Sequence, residues 1–519
     1  MVHLAIIYHM HQPYYKDLLS GESPLPWVRL HGTKDYLDMV QMLSDYPKVR
    51  LTFNLVPSLL EQIEDLASGS ARDRFLELSL KPADKLTREE KSFILNNFFS
   101  INRERVISLF PRYYELYFKK QEGLNFTDQD YLDLQVCFNL AWFDPSFRSS
   151  NPELKKLIAK GRFFSEDDKK ACLAQQAEIL KQIIPAYRRF QEQGQIEVSI
   201  TPYYHPILPL LYNTRTAREA NIKTVLPRVQ FNYPEDARFQ VEEAVRFYRE
   251  RFGVKPAGMW PSEEAVSEHI LPFIISPGIK WIVTDEAILF KSLKLKKRNT
   301  RLIYQPHLLK RKEGDLNVVF RDRNLSDLIG FVYHNWNAVD AVGDFMKHLE
   351  GIHRAFGGED TLVVIAMDGE NAWEYFANDG HDFLELFYRR LSESDSIKTT
   401  TVKDYLAARP PKRNIKHLGC GSWIYGDFGK WIGNPSKVRA WECLAEARGK
   451  LEEARTALSQ DKLELARKQI YVAEGSDWFW WYGEDPDGSF DELFRRHLNN
   501  FYSIIAKPAP GYLKNPLTP

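Results

Sequence analysis

Carboxylates recur in this chain directly after short apolar runs, where a strand can deliver a reacting group to the rim of an α/β sheet. The run Thr361-Leu-Val-Val-Ile-Ala-Met-Asp368 is apolar and rich in β-branched residues until it stops at an aspartate. Gly369 then permits a tight exit towards Glu370 and Trp373. A second run ends at Trp260, Pro261 forces a turn, and Ser262, Glu263 and Glu264 follow. Acidic residues at a helix start are ordinary capping and dipole chemistry, and Glu264 is assigned that part. Glu263, immediately after the strand exit, is the candidate for chemistry.

Histidines and one more carboxylate join them. His9 and His11 share one face of an extended chain and could ligate a metal, or hydrogen-bond a sugar hydroxyl, with one of the pair satisfied in the core. Glu197 sits mid-strand in Gly194-Gln-Ile-Glu-Val198 and must point either into the sheet's interior or at the helix layer. A buried carboxylate needs partners, so it bonds a ligand or a polar neighbour. His205 follows at the end of the same segment.

The elements that must hold these groups are strand-like stretches at 4–9, 50–55, 195–200, 257–260, 280–286, 317–322 and 361–367. Seven such runs, separated by helical patterns, predict a parallel (β/α) barrel or an open α/β sheet, with a further edge strand near 399–402. From about 61 to 193, Leu, Phe and Ile recur at three and four residues among charges, which predicts a helical insertion too long for one connection. After Arg409-Pro-Pro-Lys412, read as a linker, comes a glycine- and tryptophan-rich loop, Gly419 to Gly433. Helical composition over 436–471 and the aromatic row Asp477-Trp-Phe-Trp-Trp-Tyr482 predict a C-terminal helical domain packed on the barrel. The boundaries are a catalytic domain over 1–405, carrying the insertion, and a helical domain over 406–519, with the final Pro-rich tail poorly ordered or pinned to the surface.

Composition narrows the function. The 70 basic and 70 acidic residues cancel, so nothing points to nucleic acid or an anionic membrane, and a neutral polymer is a compatible partner. Aromatic residues make up 13% of the chain, a supply of flat rings suited to sugar faces as well as to cores. Cys137, Cys172, Cys420 and Cys443 have no paired spacing, which predicts buried structural thiols and neither zinc nor disulfides. Neither G-x-G-x-x-G after a strand nor G-x-x-x-x-G-K-[ST] occurs, which argues against dinucleotide and P-loop chemistry. The N-terminal run lacks a basic n-region and is interrupted by His9 and His11, and no segment reaches the ~20 apolar residues of a membrane span. A cytoplasmic protein is expected.

Five segments together carry a resemblance. His11-Gln-Pro13, Gly194-Gln-Ile-Glu-Val198, Trp260-Pro-Ser-Glu263, Met367-Asp-Gly-Glu370 and Ser476-Asp-Trp-Phe-Trp480 are similar, in order, to the five motifs of glycoside hydrolase family 57, closest to its amylopullulanase-like and α-amylase-like branch. The resemblance implies a retaining hydrolase of α-glucans on a (β/α)7 barrel, with α-1,4 linkages as targets and α-1,6 linkages as further candidates, and needs no cofactor. It places the nucleophile on Glu263, the general acid/base on Asp368, and sugar-binding and orienting roles on His11, Glu197, Trp260, Asp477 and Trp480. The fifth motif carries one residue more than the common version. A 4-α-glucanotransferase using the same intermediate, a metal-dependent deacetylase or α-mannosidase-like enzyme, and a non-catalytic glycan-binding protein are the alternatives. A retaining pair implies that Asp368 holds a raised pKa beside negative Glu263.

Overall fold

The computed structural model describes residues 1–370, 372–484 and 488–517. Seven parallel strands form the barrel: β1 (Val2–Met10), β2 (Leu51–Leu55), β3 (Ile196–Ser199), β4 (Gly258–Met259), β5 (Trp281–Asp285), β6 (Gly314–Arg321) and β7 (Thr361–Asp368). Hydrogen-bonded ladders run β7-β1-β2-β3 and β4-β5-β6. A parallel bridge from Ile200 to Met259 joins the two sets, and the Asp322 N–H donates to the Val364 carbonyl at 2.9 Å to close the ring. β4 is only two residues long, and a Cβ on its Gly258 would lie 2.0 Å from the Trp281 ring, so only glycine lets β5 pack this closely. The expected edge strand is Ile397–Thr399, paired parallel to the start of β1.

Side chains alternate across each strand, so every second residue fills the barrel. Ala5 and Ile7 from β1, Val283 from β5, Val319 from β6, and Leu362, Val364 and Ala366 from β7 form one apolar cluster inside it. Above that layer the register brings His9, Asn54, Ser199 and Asp368 to one level at the C-terminal ends of β1, β2, β3 and β7. Below it the barrel floor is closed by the helix Val402–Ala408, whose Val402, Tyr405 and Leu406 join the same cluster.

Helices dominate the rest. The stretch between β2 and β3 runs from α1 (Pro57–Ser68) to α2 (Glu166–Glu192), a 27-residue helix with a Ser165/Asp168 capping box. Past the barrel come α3 (Pro435–Ala454), α4 (Gln460–Ala473), α5 (Ser476–Trp481) and α6 (Ser489–Ile504). The segment read as a linker is held at both ends: Arg409 Nε donates to Asp360 at 2.8 Å, and just beyond it Arg413–Asn414 pairs with His307–Leu308. At the tail, Leu517 N–H donates to Asp491, and Thr518 and Pro519 lie outside the described residues. All four cysteines are buried and unpaired. Among the described residues no helix is long and apolar enough to cross a membrane.

Candidate active site

A cavity of about 370 Å3 opens over the C-terminal end of the barrel, and Glu263, Asp368, His11, Trp260, Asp477 and Trp480 all line it. They arrive from four places: His11 after β1, Trp260 and Glu263 after β4, Asp368 at the end of β7, and Asp477 and Trp480 on α5. β7 ends at Asp368, where Gly369 N–H donates to His9 O at 2.7 Å and a Cβ on Gly369 would meet Met10 Sδ at 2.4 Å. Glu263 leaves β4 through Trp260-Pro261 and is not in a helix. It and Glu264 both adopt left-handed backbone, φ 58° and 52°, a conformation that costs a non-glycine residue on the order of 1–3 kcal/mol. His205, at φ 58°, shares that strain on the same rim. The capping role expected of Glu264 is therefore not what the turn provides: its carboxyl is fully buried behind the site, and burial pushes its pKa well up.

Two donors fix the Glu263 carboxylate. Trp423 Nε1 donates to Oε2 at 2.8 Å and Ser476 Oγ to Oε1 at 3.4 Å. Trp423 belongs to the glycine-rich loop 419–433, which folds back on the barrel: Val266 bridges Gly421, the Trp423 N–H donates to Glu263 O, and Lys291 Nζ donates to the carbonyls of Cys420 and Gly426. Ser476 opens α5, anchored by its N–H to His205 O at 3.0 Å. Burial, and then the charge of Asp368, pushes the Glu263 pKa up to about 8. Glu263, the partner of the residue for which a raised pKa was expected, is thus itself pushed up. Repulsion between two carboxylates disfavours both being ionised at once.

Three histidines stack around them. His11 and His205 lie 3.9 Å apart between ring centroids, and His9 lies 4.9 Å from Trp260, nearly parallel to it. His9 is the core-satisfied member of its pair: its Nδ1 bonds Asn54 Oδ1 at 2.6 Å, and burial, then the neighbouring His11, lowers its pKa to about 3. His11 Nε2 bonds Asp477 Oδ1 at 2.8 Å, and the His11 N–H donates to Glu370 Oε1 at 3.1 Å. Glu370, pushed up to about 8 chiefly by burial, also accepts from Gln12 and Tyr36. His11 Nδ1, His205 Nε2, Trp260 Nε1 and Glu370 Oε2 are buried with no hydrogen-bond partner among the described residues. That mixture of donors and acceptors matches hydroxyl groups, which can serve as either.

Glu197 is not brought to the cavity. It faces inward lower on β3, where Trp281 Nε1 donates to Oε1 and Lys403 N–H donates to Oε2, both at 2.8 Å. Its partners are the first residue of β5 and the start of the floor helix, so the polar-neighbour alternative holds for it. In the aromatic row, Trp480 and Trp481 line the cavity, whereas Trp478 is buried with its Nε1 on Val472 O. Sequence reasoning missed Trp423 and gave His205 no role. Among the described residues two groups of side chains could hold a metal ion: His11, His205 and Asp477 in the cleft, and the buried Asp38, Asp144 and His381.

Comparison with known proteins agrees with this geometry. The family model for glycosyl hydrolase family 57 matches residues 5–417. Alpha-amylase 1 of Dictyoglomus thermophilum is 28% identical over 262 residues, which are 49% of this chain and 32% of its own length, so the match spans about a third of that relative. Among solved structures, a branching enzyme of Thermococcus kodakaraensis superposes with TM-score 0.59 at 16% identity, covering 97% of this chain and 90% of its own. The alpha-amylase AmyC of Thermotoga maritima gives 0.60 at 15%, covering 97% and 93%, and a branching enzyme of Pyrococcus horikoshii gives 0.58 at 18%, covering 100% and 97%. At these identities the structural likeness bears on the fold.

Proposed function

Since the chain belongs to glycosyl hydrolase family 57, we propose that it is a retaining glycoside hydrolase of α-glucans, with Glu263 as nucleophile and Asp368 as acid and base. The observation that carries this is the convergence of two carboxyls, from β4 and β7, on one cavity with the His11–Asp477 pair.

The chemistry follows from what the side chains can do. A retaining reaction needs two carboxyls about 5–5.5 Å apart, one ionised and one protonated. The Trp423 and Ser476 donors favour the ionised form of Glu263, leaving the proton for Asp368. A Glu263 oxygen attacks the anomeric carbon, the glycosidic C–O bond breaks, and the leaving oxygen takes the proton of Asp368. Esterified Glu263 no longer carries charge, so Asp368 is then the stable anion. It removes a proton from water, whose oxygen attacks the same carbon and releases the Glu263 carboxylate. His11, Trp260, Asp477 and Trp480 hold the sugar between the two groups. Glu197, bonded at the floor, is left out of that set.

A sugar hydroxyl in place of water would make the same centre a 4-α-glucanotransferase. The observation favouring this second outcome is a further cavity that opens beside Asp368. The units 1–405 and 406–519 belong to the proposal as well, since Asp477 and Trp480 from the second line the cleft. A neutral α-glucan as partner accords with the balanced charge.

The test is incubation with a panel of α-1,4- and α-1,6-linked glucans, with product size and anomeric form read early. Initial α-anomers are expected, and early release of β-anomers from an α-linked substrate removes the retaining assignment.

A further inference from the structure

The second cavity, of about 600 Å3, meets the first at three side chains: Asp368, Trp423 and Trp480. Its outer wall comes from the segment following β6, where Phe331 is 71% exposed, and from the turn following β7, where Tyr375 is 56% exposed. Large aromatic rings left open to water at a cavity mouth are not explained by core packing and mark a binding surface. His334, which lines the same cavity, packs beside Tyr375 at 5.8 Å between ring centroids.

Charge in this cavity is balanced by the protein itself. Arg321 donates to Asp327 at 2.6 Å and to the Ala366 carbonyl at 2.7 Å, and Arg323 donates to Asp285 at 2.5 Å. Both guanidiniums are engaged, so the wall suits a neutral occupant with apolar ring faces and hydroxyl edges, not a phosphorylated one.

The asymmetry between the cavities gives the direction. Glu263, His11 and His205 line the first and not the second, so the ring that is attacked sits in the first. Asp368 belongs to both, and it protonates the departing oxygen, so the sugar bearing that oxygen lies on the side of the second. Resting on the function proposed above, we infer that Phe331 and Tyr375 form the surface that binds the leaving-group half of an α-glucan chain by stacking on its sugar rings.

The experiment compares two substrates in wild type, Phe331→Ala, Tyr375→Ala and Phe331→Tyr. Maltoheptaose extends into both cavities, whereas α-maltosyl fluoride has a single-atom leaving group and enters only the first. The ratio of the two kcat/KM values is expected to fall about tenfold in each alanine variant and to recover to within about twofold in Phe331→Tyr. A ratio unchanged in both alanine variants, or a loss at position 331 that tyrosine does not restore, overturns the inference. If the wild type turns over neither substrate, the proposed function fails on its own. Quenching of tryptophan fluorescence by maltoheptaose then decides: about tenfold weaker binding by Phe331→Ala is expected, and equal binding overturns the inference.

Discussion

The two ends of the barrel each hold a glutamate largely shielded from water, one on a strand and one on the turn that leaves a strand, and they treat it in opposite ways. At the floor, Glu197 receives a donor on each oxygen at 2.8 Å, both from groups fixed by secondary structure. At the mouth, Glu263 receives one donor at 2.8 Å and one at 3.4 Å, from a loop and a helix remote in sequence, and sits on left-handed backbone among unpartnered polar atoms. Burial raises both, to about 7 and about 8. Burial and residue type therefore do not distinguish a structural carboxyl from a reacting one; incomplete hydrogen bonding and local strain at a carboxyl that also lines the cavity do.

The contrast breaks most visibly at the mouth. Glu263→Gln and Asp368→Asn are each expected to lower kcat by on the order of 10⁴-fold or more while the melting temperature holds or rises, because each relieves repulsion between the pair. A large drop in melting temperature would make these groups structural like Glu197. At the floor the pattern inverts. Glu197→Ala strands the Trp281 and Lys403 N–H groups and leaves a void, costing about 2–4 kcal/mol in chemical unfolding with kcat per folded molecule nearly unchanged. Loss of turnover without loss of stability would return Glu197 to the sugar-binding set.

Trp423→Phe sharpens the comparison by moving Glu263 further from full pairing. Its hydrogen bond lowers the Glu263 pKa, so removing it raises that pKa above about 8. The ionised form needed for attack is then scarcer at neutral pH. The acid limb of kcat/KM should shift to higher pH, with activity at pH 7 down about tenfold and partly restored on the alkaline side. An unshifted profile would show that Trp423 does not act through Glu263.

Much of this was legible from the residues. The seven strands stood out because buried parallel strands are near-continuous apolar runs. The cleft residues stood out because Asp368, Glu263 and His11 follow such runs directly. Three features did not. Trp423 lies 160 residues from its partner Glu263, and no local pattern announces a contact closed by loop folding. The Ser262–Glu264 turn reads as a helix start because acidic residues favour that place, and only packing forces the left-handed turn. Glu197 could be placed mid-strand, but neither its face nor its level along the barrel could be fixed, since periodicity does not tell what lies opposite.

The helix Val402–Ala408 at the bottom of the barrel has one more consequence. With the interior filled and the base stoppered, a polymer cannot thread lengthwise through the molecule. It must lie across the top, entering and leaving sideways through the two cavities that meet at Asp368, Trp423 and Trp480. Chain length is then set by how far their walls let a strand of sugar extend in either direction, so trimming a wall is the route to cutting longer or more branched substrates.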